Sequence, residues 1–184
     1  MKLIKSIALV SLTTSLLIAQ GQSIVDIGEQ SSKLLLKTLG SSMKKNMKAG
    51  GPMKALDFCS QEAYTLTEKV NKKLPKGVTV KRISIKYRNP ANKPEADEVA
   101  VLKALAKLKS ANVILPQQII QKIDTDSYKY YKPLTINKKV CMKCHGNIQN
   151  VALKHAIKER YPADKATHYK MGDLRGAIVV TIKK

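Results

Sequence analysis

A change of hydrophobic rhythm constrains the fold of this chain more than any other feature. Between Ile24 and Val70 apolar residues recur at the three-to-four spacing of helices; beyond Gly77 they fall into short runs near period two. Ile24, Ile27, Leu34, Leu35, Leu39 and Met43 predict a first helix over 24–48, stopped by Gly50-Gly51-Pro52. Ala55, Leu56, Cys59, Ala63, Leu66 and Val70 predict a second, broken by Lys72-Lys73-Leu74-Pro75-Lys76-Gly77. Val78 to Tyr87 alternates like a strand, and its phase slips at Lys81-Arg82 as a bulge would make it. A rigid Asn89–Pro94 loop precedes a third helix over Glu95–Lys109, with Asn92 placed to cap it. Val113–Leu115 and Tyr128–Ile136 read as strands, the second interrupted by Pro133. A fourth helix covers Asn150–Arg160; a Met171-Gly172-Asp173 turn leads to a closing strand over Leu174–Ile182. Two long helices followed by mixed short elements predict an α+β fold with an antiparallel sheet. The 184 residues suit one domain, and with no Trp and one Phe its core must be mostly aliphatic.

The N-terminus reads as an address. Lys2 and Lys5 precede an apolar run from Ile7 to Ile18, and Ala19-Gln20-Gly21 supplies small residues for cleavage. This is the plan of a secretory signal peptide over 1–21, with one domain over 22–184, and it predicts a periplasmic protein. The run is short for a transmembrane helix, although an uncleaved anchor is the rival reading. No Cys follows it, which excludes a bacterial lipoprotein. Disulfides persist in such a compartment, but three cysteines leave one unpaired in any scheme.

Cys141-Met142-Lys143-Cys144-His145 has another use for two of them. C-x-x-C-H is the attachment signature of c-type haem. Two thiols three residues apart on one turn can each form a thioether with a haem vinyl, and the adjacent His presents an imidazole nitrogen to the iron. A zinc knuckle would need a second ligand pair at knuckle spacing, and the sequence has none. A thioredoxin-like motif would lie early in its domain, whereas this one lies late. For a second axial ligand the residues leave Cys59, His155, His168 and methionines such as Met53 and Met171 open; Cys59 on an apolar helix face would also serve as a small core residue.

Further blocks carry a resemblance. Lys81-Arg82-Ile83-Ser84-Ile85-Lys86-Tyr87-Arg88-Asn89-Pro90-Ala91-Asn92-Lys93-Pro94, Cys141–Gly146, Tyr161-Pro162-Ala163-Asp164-Lys165-Ala166 and Gly172-Asp173-Leu174-Arg175-Gly176-Ala177 occur in order. Together they resemble the Tll0287-like haem domain family from about residue 30 to the C-terminus. The resemblance implies a PAS-like domain carrying one covalently attached haem c. It also implies axial ligation by the motif His145 and by a Cys on an N-terminal helix, a role that falls on Cys59. His168 stands where the family pattern usually has Gly. Arg88, in the Tyr87-Arg88-Asn89-Pro90 segment, is a candidate partner for a haem propionate, against the plainer reading of a solvated loop arginine.

Charge narrows the partners. Lys and Arg number 34 against 13 Asp and Glu, a net +21, of which about +19 remains once Lys2 and Lys5 are removed. An exported haem protein rarely meets nucleic acid, so no nucleic-acid partner is expected. An acidic redox partner protein or an anionic membrane surface suits the charge better, and a merely solubilising surface is the plain alternative. The reading is a periplasmic monohaem c-type cytochrome in redox or small-ligand sensing or electron transfer, a haem-binding redox or sensor role being favoured over catalysis. The alternatives are a peroxidase-type haem enzyme, for which the sequence offers no clear distal acid–base pair, and a non-haem binding module whose C-x-x-C is structural.

Overall fold

Two helices, α1 (Ile24–Gln61) and α2 (Ala63–Asn71), realise the helical rhythm of the first third. The computed structural model describes residues 22–184, so the expected signal peptide lies outside the described residues. The Ser23 side-chain oxygen accepts from the Asp26 N–H at 3.1 Å and caps α1. Gly50-Gly51-Pro52 kinks this helix where the sequence predicts its end. Gly51 carries the bend at φ 65° and ψ −154°, a conformation that side chains rarely permit. Pro52 follows directly, at a position where helices do not need its missing N–H. The predicted second helix is therefore the distal arm of α1 plus α2, divided at Glu62, where φ is −117°.

The stripe of α1 that meets the sheet is smaller-sided than its apolar pattern. Gly28, Ser31, Ser32, Leu35 and Leu39 are buried, whereas Leu34 is 36% exposed. A Cβ on Gly28 would lie 2.2 Å from the Tyr130 ring, so α1 crosses the sheet at a distance that only glycine allows.

The sheet contains β1 (Val78–Ile83), β2 (Ile119–Lys122), β3 (Ser127–Thr135) and β4 (Leu174–Lys183), in the order β1-β4-β3-β2 with every neighbouring pair antiparallel. The fold is α+β, with a long N-terminal helix packed on an antiparallel sheet. The last strand is internal, and its residues from Gly176 to Val180 are buried in succession because both faces are covered. Two-sided burial also explains the slip in β1. Its register with β4 runs unbroken from Val78↔Ile182 to Ile83↔Ala177, so there is no bulge. Val78 and Val80 belong to the core under α1, and Ile83 to the core under α3 (Ala96–Ser110). Arg82 falls on the parity of Val78 and Val80, where alternation would put an apolar residue. The irregularity of the sheet lies between Leu134 and Thr135. Pro133 is tolerated because β2 pairs with β3 only through Tyr128–Tyr131, leaving the proline past its end.

Three smaller expectations shift. Val113–Leu115 is not a strand; Ile114 is 93% exposed, and β2 starts at Ile119. Glu95, not Asn92, caps α3, in a capping box with Glu98, while Asn89 caps the short 3-10 turn Pro90–Asn92. The core is largely aliphatic, but Tyr130 and Tyr131 are its largest fully buried side chains, one in each layer. Two further helices, α4 (Lys139–His145) and α5 (Val151–Arg160), bring the attachment motif back to α1, with Asn150 capping α5 through the Leu153 N–H at 2.8 Å.

Candidate functional site

Helix α4 is a seven-residue segment consisting of little more than the motif. Nothing so short is stable alone, so its neighbours must hold it. The Tyr169 N–H donates to the His145 carbonyl at 2.9 Å, and the His168 N–H to that of Gly146 at 3.1 Å. Arg88 supplies the strongest tie. Its buried guanidinium pairs with both Asp164 oxygens, at 3.1 and 3.0 Å, and donates to the carbonyls of Cys144 (2.7 Å) and Ala166 (3.3 Å). Asp164 in turn accepts from the Ala166 N–H at 2.8 Å. Arg88 is therefore a lock between α4 and the 161–169 loop; it is neither the solvated loop residue nor the free carboxylate partner that its sequence position allows.

The lock sets the state of His145. Its Nδ1 lies 2.8 Å from the Ala166 carbonyl, which can only accept. The proton therefore sits on Nδ1, and Nε2 keeps its lone pair. Burial, then the charges of Arg175 and Arg88, hold the imidazole pKa down to about 3, so the ring is neutral near pH 7. Tyr169 meets it edge-on at 6.4 Å and 87°, fixing its plane.

Cys59 arrives from the far arm of α1, half-buried beside the core. Leu56, one turn earlier, packs in a cluster that includes Cys144 and Ile148. Burial pushes the Cys59 thiol up; Arg82 opposes that most strongly, followed by Arg88 and Arg175, while Cys144 adds to the rise. The same three arginines act on His145. The fold thus gathers Cys59, Cys144 and His145, 85 residues apart in sequence, within one electrostatic neighbourhood, with Cys141 one turn from Cys144 and all three cysteines free. The other axial candidates stay outside it. His155 and His168 are exposed, and Met53 and Met171 are 39% and 49% exposed. His168 has φ 61°, in the left-handed region that favours glycine, which fits the Gly that the family resemblance gives this position.

The site offers an unprotonated imidazole nitrogen and free cysteine sulfurs, donor types suited to a transition metal or an iron cofactor. Among the described residues, no group of three or more His, Cys, Asp or Glu gathers as it would around a bare ion. The family profile Tll0287 (Tll0287-like) matches residues 15–183. The chain belongs to the Tll0287-like family. A solved structure titled as that of the cyanobacterial heme-protein Tll0287 is similar to it, with 25% identity and a TM-score of 0.60 over 88% of this chain and 92% of that one. A search of the curated proteins finds no match.

Within this Tll0287-like chain, sequence reasoning missed Arg82, Asp164, Tyr169 and Arg175 as members of the site. One signal for Arg82 was present. It interrupts the alternation of β1, and a long cation on the inward face of a strand needs a reason.

Proposed function

We propose that this chain is a monohaem c-type cytochrome, exported to the periplasm and working in redox or small-ligand sensing or in electron transfer. The observation that carries the reading is His145: its Nδ1 is committed to Ala166, its Nε2 is free, and it shares one short helix with two free thiols. The relationship to the cyanobacterial heme-protein supports the same cofactor. Cys141 and Cys144 would hold the two vinyl carbons as thioethers, His145 would be one axial ligand and Cys59 the other. When bound, haem would supply a one-electron Fe(III)/Fe(II) couple. The chain's own part is to orient the imidazole through Ala166 and Tyr169, to lock α4 through Arg88, and to set the charge around the Cys59 sulfur through Arg82. Export is supported by the N-terminal sequence alone.

Mass spectrometry of protein from a host that matures cytochromes c should show one haem added. A bare polypeptide mass would overturn the reading.

Ligation by Cys59 makes a second test. A thiolate stabilises ferric iron, so the potential should be low beside that of His/Met cytochromes. Cys59→Ser should change the ferric spectrum, raise the potential and admit cyanide or CO. If neither spectrum nor potential moves, Cys59 is a core residue, and His168 or a methionine becomes the ligand to examine.

The excess of cations supports docking on an acidic redox partner or an anionic membrane surface. Association should slow steeply with salt; a rate indifferent to ionic strength would leave the charge as a solubilising surface.

A further inference from the structure

Arg82 and Arg175 are the unexplained charges of the site. Both are half-buried, and both act on Cys59 and His145. Among the described residues, neither has a carboxylate within ion-pair distance. Arg175 donates to the Lys86 carbonyl, at 3.2 Å, and lies 5.3 Å from the centre of the Tyr169 ring. Arg82 lines a cleft of about 280 Å³ whose two carboxylates, Glu68 and Glu95, both stay beyond ion-pair distance of it. Of the other charged groups nearby, Arg88 is engaged with Asp164, Lys86 with the Thr167 carbonyl at 2.6 Å, and Lys81 and Glu95 with each other. Cys59 and Tyr161 also act on Arg82, and Tyr169 on Arg175.

Two guanidiniums partly withdrawn from water with no counter-charge are costly, since a cation leaving water needs compensation. The deficit is two negative charges, it sits around the proposed axial residues, and it calls for the planar two-oxygen geometry that guanidinium matches best. Haem brings two propionate carboxylates. We infer that Arg82 and Arg175 are the receptors for the haem propionates, the role that the sequence offers to Arg88 and that Arg88, tied to Asp164, does not have free hands to fill. The inference rests on the haem reading above.

The test uses holoprotein matured in a cytochrome c host, with Arg82 and Arg175 each changed to Met and to Lys. Mass is read first: wild type without haem would refute the haem reading itself, separately from this inference. The Met variants should keep one covalent haem, show a lower potential than wild type, and gain a pH-dependent potential in the near-neutral range, because an unpaired propionate stabilises ferric iron and titrates at higher pH. The Lys variants should stay near wild type in both. Where a Met variant takes up no haem, uptake by its Lys counterpart supports the inference, and failure of both overturns it, since the position then serves folding and not charge. Met variants with the wild-type potential and pH profile also overturn it. So does a wild-type potential that shifts with added phosphate at constant ionic strength, which would assign the arginines to a free anion.

Discussion

Two charge clusters of the molecule, one under α3 and one around the haem motif, are finished differently. Under α3, Glu98 is fully buried and pairs with Lys81 at 3.0 Å and Lys129 at 3.2 Å. Lys129 also reaches Glu95 at 2.9 Å and Asp97 at 2.8 Å, and Lys81 reaches Glu95 at 2.7 Å. Every charge there has a partner in the chain, so the cluster is complete as folded. At the haem-motif site, Arg88 has Asp164, but Arg82 and Arg175 have no carboxylate within ion-pair distance among the described residues. A cluster whose charges are all paired within the chain is scaffold; one left short of negative charge is prepared for something the chain does not contain.

The comparison is broken most forcefully at its paired members. Arg88→Met strands Asp164, whose side chain is 8% exposed, and removes the ties to Cys144 and Ala166. It should cost about 3–5 kcal/mol in denaturant unfolding. Glu98→Ala should cost less, about 2–3 kcal/mol, because Lys81 and Lys129 keep Glu95 and Asp97 as partners. It should leave the spectrum of the site unchanged. Equal costs, or a Glu98→Ala change that moves the spectrum, would show that the two clusters are not independent.

Acid sharpens the comparison with a smaller effect. Hydrogen bonds from Lys81 and Lys129 hold the Glu95 pKa down to about 2, from an ordinary 4.5. A carboxylate depressed in the folded state adds stability above its unfolded pKa and loses it as pH falls through the folded one. The contribution should therefore be present above pH 4.5 and disappear toward pH 2. With the Glu95 side chain 61% exposed, screening limits it to about 1 kcal/mol or less. Comparing wild type with Glu95→Gln across that window isolates it; identical acid profiles would mean that the pairs of Glu95 add nothing to stability.

Much of the fold was legible because periodicity reports burial directly. The predicted spans of α3, β3, α5 and β4 lie within about two residues of the observed elements. The errors share a cause. Gly50-Gly51-Pro52 has the composition of a stop, but a kink needs the same positive-φ glycine, and the second arm is held by Leu56 against α5 and Phe58 in the sheet core. The slip in β1 imitates a bulge because a strand covered on both faces need not keep its apolar residues on one side. Gly28, Ser31 and Ser32 face the sheet where a search for large apolar residues passes over them.

The sequence by itself determined the covalent chemistry on offer: Cys141, Cys144 and His145 stand in a spacing set by one helical turn, which is a local property of the chain. It also carried the family through ordered blocks. The tertiary structure decided which nitrogen of His145 is free, through the Ala166 carbonyl 21 residues away, and which arginines are engaged, through Asp164, 76 residues from Arg88. It also brought Cys59 from α1 into the field of the same arginines as His145. Tautomer, charge balance and access depend on groups distant in sequence that meet only when α1, the sheet and the 161–169 loop pack together, and no local pattern encodes that meeting.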